Sequence, residues 1–527
     1  MTKGFLAVVL HAHLPFVRHP EHEDSLEERW FYDAITQCYL PLLFMMEELT
    51  AEGIDFRFTL SITPTLGSML SDSLLLSRYC RRLDSLIELG EQEITRTVSP
   101  PELQKLARLY RDSLLRARTA FVERYHGDLL AEFFSWQEKK KIEIIAGCAT
   151  HGYLPLLAVD RAAVYSQIKT GIDWYRQVSH RQPTGFWLPE CGFYPGVDAL
   201  LHDEGILYTF NETHGVTRAI PRPRFGVYAP VVCPSGLAVF GRDPDSSRQV
   251  WSSGEGYPGD PDYREYYRDI GHDLDPEYLK PYIHRDGIRV DTGYKYYRIT
   301  GQGLEKELYD PEKAAAKADL HARDFLNKKE GQIQEIAPHM DRSPIIVAPF
   351  DAELFGHWWH EGLSWLGALF RNAARRPDSL RLVTIPEYLA ENPADQVAMP
   401  AAASWGKNGF HQTWLNPAND WIYPHLHRAV SVMGDLLDRF PDPPQLTHRA
   451  LAQAARELLL AQASDWPFMI HGGTTVEYAE QRLKRHLARF LRLSEMIAAG
   501  EIDELWLTRI EEQENIFPDV DYRTFGR

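Results

Sequence analysis

The sequence predicts an α/β protein: a barrel of βα units over roughly the first three-quarters of the chain, then an all-helical C-terminal region. Three observations carry that expectation. Short β-rich runs alternate with helical patterns, which implies parallel strands joined by helical crossovers. Polar and titratable residues collect just after those runs, where such a barrel places its active-site face. Beyond residue 403 the strand signals stop and a Leu/Ala stripe at helical spacing takes over.

The strand-like runs are, in order, Gly4–Leu10, Phe56–Ile62, Lys141–Ile145, Gly185–Leu188, Gly205–Phe210, Tyr294–Ile299, Ile345–Ala348 and Leu380–Ile385. They suggest a barrel of seven or eight strands. Helices are expected over Leu40–Leu49, Leu103–Arg124, Arg161–Val178 and Pro311–Lys329. Between Tyr194 and Asp275 the periodicity fades into Gly, Pro, Tyr and Asp, and a structureless loop of that length would be unusual. Residues 195–248 are therefore read as an inserted small domain with mobile loops, interrupting a barrel of residues 1–194 and 249–392. A second boundary falls where Asn392-Pro393 and an Ala/Pro run break the pattern. Residues 393–527 form the helical domain, with helices expected over Tyr423–Leu437, His448–Ser464 and Val476–Ala499. Gly472-Gly473-Thr474-Thr475 reads as a helix start capped by one of the threonines.

The bulk numbers narrow the function. The chain has 527 residues, 44% of them hydrophobic, and a formal net charge of −17. No basic patch in the sequence offsets that field, so nucleic acid is disfavoured as a partner and a neutral substrate is favoured. Five scattered cysteines without a CxxC pair argue against a disulfide framework and for a reducing cytoplasm. No run approaches the ~20 apolar residues that cross a bilayer, so no membrane partner is expected. No dinucleotide fingerprint or phosphate-binding loop implies a nucleotide cofactor.

Several residues could carry chemistry. His11 and His13 end the first strand two residues apart, so both rings can enter one cavity. They could bind zinc with His151 and Asp351, or bond substrate and buried carboxylates. Glu190 sits at the tip of a tight strand exit between Pro189 and Gly192. Asp351 ends the most apolar strand in the chain, where an acid costs desolvation unless something uses it, and Glu353 is its rival. Two carboxylates at separate strand ends suit glycosidic chemistry, at ~5–5.5 Å separation for a retaining enzyme. Of 13 tryptophans, seven lie between Trp358 and Trp466, enough to supply both packing and sugar platforms.

With these motifs in view, the chain resembles glycoside hydrolase family 57. His11-Ala-His13-Leu-Pro15 resembles the family's first motif and Gly147-Cys-Ala-Thr-His151-Gly its second. Trp187-Leu-Pro-Glu190-Cys-Gly resembles the nucleophile motif, and Ala348-Pro-Phe-Asp351-Ala-Glu-Leu-Phe-Gly-His357-Trp358-Trp the acid/base motif. Ala463-Ser-Asp465-Trp466 is the last recognisable piece, and the layout looks most like the branching-enzyme subgroup, which has relatives described as α-amylases.

The resemblance implies a (β/α)7 barrel, distorted and TIM-like, with an inserted domain and a helical domain. It implies a retaining double displacement on α-1,4-glucan, with Glu190 as nucleophile, Asp351 as acid/base and no cofactor or metal. His11, His13, His151, Trp187, His357, Trp358, Trp405, Trp414, Asp465 and Trp466 become substrate-site residues. Branching members carry a tyrosine on a loop over the site. Pro234–Phe240, taken as that loop, has none, which would let hydrolysis compete with transfer. Four functions are thus open: a branching enzyme, an α-amylase with the same site, a zinc-dependent polysaccharide deacetylase, and a non-catalytic glucan-binding protein.

Overall fold

The computed structural model describes residues 4–252, 254–301 and 305–526. Its strands are β1 (Phe5–Ala12), β2 (Phe58–Ile62), β3 (Ile142–Gly147), β4 (Gly185–Trp187), β5 (Tyr208–Asn211), β6 (Val231–Val232), β7 (Ala238–Gly241), β8 (Ile345–Asp351) and β9 (Arg381–Leu382). They form one sheet in the order β6-β7-β5-β4-β3-β2-β1-β8, with β9 paired to the start of β1. From β7 to β8 every pairing is parallel, and only β6 runs antiparallel. Those parallel strands are the seven of a distorted (β/α)7 barrel. Its seam is bridged where the Asp243 backbone N–H donates to Val347 O at 2.9 Å.

Alternation along the strands decides what faces the axis. Phe5, Ala7 and Val9 of β1 pack inside the barrel with Ile345, Val347, Tyr208, Phe210 and Phe240. Leu6, Val8 and Leu10 face outward into the larger core shared with the helices. The inward parity of β1 leads up to His11, and that of β8 leads up to Asp351. The two strands are in register with His11 opposite Asp351. All the parallel strands end on one face, so loops leaving their carboxyl ends build a common mouth.

The expected helices appear close to their predicted limits: Leu40–Ala51, Pro101–Thr119, Arg161–Ser179 and Pro311–Ile336 in the barrel region, and Ile422–Arg439, Gln445–Ala461 and Val476–Ala499 beyond it. Four expectations fail. Tyr294–Ile299 is not a strand, and Tyr297 and Arg298 form only isolated bridges. Its tyrosines instead bond the long helix Ser73–Arg96, which the sequence reading missed: Tyr294 OH donates to Leu86 O and Tyr296 OH to Glu93, each at 2.8 Å. Residues 195–248 are not an insertion, because β5 and β7 belong to the barrel sheet. The long stretch without a strand comes later, over the described residues 254–301 and 305–310, with only short helical turns. Thr475 precedes its helix in a left-handed conformation (φ 52°) and makes no capping bond, because its hydroxyl donates back to Thr474 O.

The fourth correction concerns Pro234–Phe240. Residues 234–237 form the tight turn between β6 and β7, closed by the Cys233 N–H to Leu237 O bond of 2.8 Å. That turn enters β7 at its amino end, away from the mouth. Its lack of tyrosine therefore bears no relation to water at the site. The segment leaving β7 toward the mouth starts at Arg242.

The barrel seam offers a stability test. Asp243 accepts from Lys329 Nζ at 2.8 Å and from the Ser246 N–H, and both members of the ion pair are almost fully buried. Asp243→Ala would leave the Lys329 ammonium buried without its carboxylate, at a cost of about 3–5 kcal/mol. Urea unfolding of the variant should show that loss, and a change below about 1 kcal/mol would contradict it.

Candidate active site

The turn after β4 presents Glu190. Its backbone is left-handed (φ 60°, ψ 24°), as are Cys191 (φ 53°) and His151 (φ 59°). Such conformations are uncommon for residues with a Cβ and persist only where the surroundings enforce them. Here the Trp405 N–H donates to Glu190 O at 3.1 Å, and Phe193 exchanges backbone bonds with Ala403. The carboxylate is held as firmly. Trp405 Nε1 donates to Oε2 at 2.8 Å and Ser464 Oγ to Oε1 at 2.9 Å.

Beside it, hydrogen bonds link the three expected histidines. Ser61 Oγ lies 3.2 Å from His11 Nδ1, His11 Nε2 lies 3.0 Å from His151 Nε2, and His151 Nδ1 lies 2.8 Å from Ser464 Oγ. Ser464 has one proton and gives it to Glu190, so it must accept from His151. That assigns every proton in turn: Ser61 donates to His11, His11 to His151, His151 to Ser464 and Ser464 to Glu190. Both imidazoles in this chain must be neutral. Burial first, then the neighbouring histidines, holds His11 and His151 well below the usual imidazole range. His13 differs: burial opposes its charge, but Asp465, Glu190 and Glu353 outweigh it and raise its pKa. Its Nε2 lies 3.0 Å from Asp465 Oδ1 and its Nδ1 3.0 Å from Thr63 Oγ1.

Asp351 faces the same space. Burial, then Glu353 and Glu190, push its pKa up to about 8, against the pull of His13 and Arg242. Glu353 is itself raised to about 7 by burial, and it accepts from the His13 N–H at 3.1 Å and from the Tyr39 hydroxyl. Glu353 is thus anchored in the wall, while Asp351 is the carboxyl group left facing the cavity.

These groups line a cleft of about 590 Å³ together with Trp358, Trp405, Trp414 and Asp465. Three expected residues do not line it. Trp187 is buried beneath His11, ring centroids 4.8 Å apart. His357 is turned away, with Nδ1 3.0 Å from Gln37 Oε1. Trp466 is core, and its indole donates to Leu460 O at 2.8 Å. Residues the sequence reading missed are Ser464, Arg242, Trp251 and Phe468. Arg242 pairs with Glu212 at 2.9 Å and lies 5.4 Å from the Trp405 ring centre. It follows β7, the strand taken for a loop. Among the described residues, His13, His151 and Asp465 place ligand atoms within 4.8 Å of one another, so this trio, rather than one including Asp351, is the group that could hold a divalent ion.

A seven-stranded parallel barrel whose mouth gathers carboxylates, imidazoles and indoles is built as a carbohydrate-active protein. The chain belongs to glycosyl hydrolase family 57. The family's model matches residues 7–401, and the C-terminal model of 1,4-alpha-glucan branching enzymes matches residues 425–525. It is 33% identical to the 1,4-alpha-glucan branching enzyme TK1436 of Thermococcus kodakarensis, over 98% of this chain and 78% of that one. Among solved structures it is similar to the alpha-amylase AmyC from Thermotoga maritima, at a TM-score of 0.93 and 44% identity, with 99% of each chain covered. It is also similar to the GH57-type branching enzyme from Pyrococcus horikoshii, at 0.89 and 31%, covering 99% of this chain and 97% of that one.

The site geometry gives a pH test. Glu353→Gln keeps an acceptor for Tyr39 and His13 but removes the charge beside Asp351. The alkaline limb of the activity profile should therefore move to lower pH. An unmoved limb would mean that Glu353 does not set the Asp351 pKa.

Proposed function

We propose that the chain is a retaining 1,4-α-glucan branching enzyme of glycogen synthesis, with Glu190 as nucleophile and Asp351 as acid/base. The observation that carries this reading is the contrast between the two carboxyl groups. Burial raises the Glu190 pKa, but it accepts two hydrogen bonds that pull it back toward the anion and hold both oxygens in place. Asp351, at about 8, still carries its proton at neutral pH. Environments that push two acids into different roles mark the acid and the nucleophile.

In this reading Asp351 protonates the glycosidic oxygen as the bond to the anomeric carbon breaks, and Glu190 forms an ester to that carbon. The 6-hydroxyl of a second chain then attacks, Asp351 takes its proton, and Glu190 leaves as carboxylate. Trp358, 55% exposed, and Trp405 supply ring faces for the sugar. His13 and Asp465 supply hydrogen bonds to hydroxyls. The match to the C-terminal model of branching enzymes supports transfer, and that part of the chain brings Asp465 into the cleft. Five free cysteines fit a reducing cytoplasm, and among the described residues no helix is long and apolar enough to cross a membrane.

A second reading, α-amylase, is favoured by the similarity to AmyC. The two outcomes differ only in what attacks the ester, and about 1.4 kcal/mol in that barrier shifts the ratio tenfold.

Incubation with linear amylose should raise the α-1,6 anomeric proton signal with few new reducing ends. Reducing ends without α-1,6 signal would mean that water wins. Glu190→Gln should lower turnover by roughly a thousandfold or more while keeping glucan binding; retained turnover would remove Glu190 from its role. Activity should fall as pH rises through about 8, where Asp351 loses its proton.

A further inference from the structure

A second cavity, of about 360 Å³, lies between the helix Pro101–Thr119 and the loops that carry Arg264, Tyr294 and Tyr309, and it shares no lining residue with the cleft. Its walls combine tyrosine rings with Asp33, Glu361 and Arg264. Asp33 lines it, and no described residue donates a hydrogen bond to its carboxylate. Arg264 lines it at 8% exposure, stacked 5.8 Å from the Tyr110 ring centre. Among the described residues no carboxylate comes within 4.0 Å of that guanidinium. Asp33 is partly buried, and burial raises its pKa to about 7 against the pull of Arg82, Arg29 and Lys295. A buried guanidinium without a close carboxylate is costly, so Arg264 facing Asp33 across one cavity marks a place that a polar ligand would complete.

The rings are fixed in advance. Tyr110 OH donates to Lys295 O at 2.5 Å and Tyr294 OH to Leu86 O at 2.8 Å, which leaves ring faces rather than hydroxyls to meet a ligand. The Arg264 N–H donates to Glu361 Oε1 at 3.1 Å and pins the backbone beside the guanidinium. Ring faces for C–H surfaces, a carboxylate to accept hydroxyl protons and a guanidinium to donate are the needs of a pyranose. Two acids, Asp33 and Glu361, line the cavity with Arg264, so its lining offers no excess of positive charge for an anionic sugar. The size suits a mono- or disaccharide.

We propose that this cavity is a second saccharide site, separate from the cleft, that takes one or two neutral sugar units. The ligand is named from the cavity's own chemistry, whatever reaction the cleft performs. The site also touches the catalytic loop: Gln37 lines it and accepts from His357, the residue before Trp358 of the cleft.

Calorimetric titration of full-length Glu190→Gln protein with maltose tests this without turnover. Two binding events are expected. Adding Ser113→Trp, at an exposed lining position, should abolish one event and leave the other. Arg264→Met should weaken that same event at least tenfold. Trp405→Ala should do the reverse, and the surviving event in each variant reports that the protein is folded. A single event lost in Trp405→Ala and untouched by Ser113→Trp would overturn the proposal. So would two events that both survive Ser113→Trp and Arg264→Met, or no maltose binding at all.

Discussion

Glu190 is held in a backbone conformation that a residue with a Cβ adopts reluctantly, and so are Cys191 and His151 beside it. Each such residue costs about 1–3 kcal/mol. The cost is met by contacts from outside the barrel: the Trp405 N–H to Glu190 O, the Phe193–Ala403 pair, and the Ser464 N–H to His151 O at 3.0 Å. The same residues, Trp405 and Ser464, also bond the Glu190 side chain. One set of contacts therefore fixes both the turn and the carboxylate it presents. The barrel supplies the acid groups, and the chain after residue 403 supplies the hold on them.

The histidine chain extends that hold across the mouth. Ser61 stands on β2, His11 on β1, His151 after β3 and Ser464 at the start of a C-terminal helix, so four segments share one directional series of hydrogen bonds ending at Glu190. Reversing any single proton would place two donors or two acceptors face to face. Preorganised donors of this kind keep a carboxylate aimed without reorganisation during reaction. His13 stands outside the series, 3.0 Å from Asp465, which with Glu190 and Glu353 raises its pKa against burial.

Much of this was legible in the sequence where a local pattern coincided with the three-dimensional role. β1 and β8 are long and apolar, and the period of two places His11 and Asp351 on the inner face without further information. Glu190 announced itself through the Pro-Glu-Cys-Gly turn. β7 was illegible because four residues between glycines carry too little pattern, and missing it hid Arg242 and misplaced the Pro234–Phe240 turn. Tyr294–Ile299 alternates as a strand does, yet Tyr294 and Tyr296 find their partners on a helix, at Leu86 O and the Glu93 carboxylate. Trp466 follows Asp465 on a helix, and neighbouring helical positions face apart; one enters the cleft and the other the core. Ser464, an ordinary serine by sequence, matters only through its distance to Glu190.

The separation of Glu190 from its serine partner, 274 residues along the chain, has a consequence for biosynthesis. A chain made from its N-terminus exposes the barrel strands early and the helices carrying Ser464 last. Until those helices dock, the Glu190 carboxylate lacks its Ser464 bond and the His151 turn lacks the Ser464 N–H that holds it. A half-made molecule would be chemically silent towards the glucan around it, and competence would arrive with the final helices rather than grow by degrees.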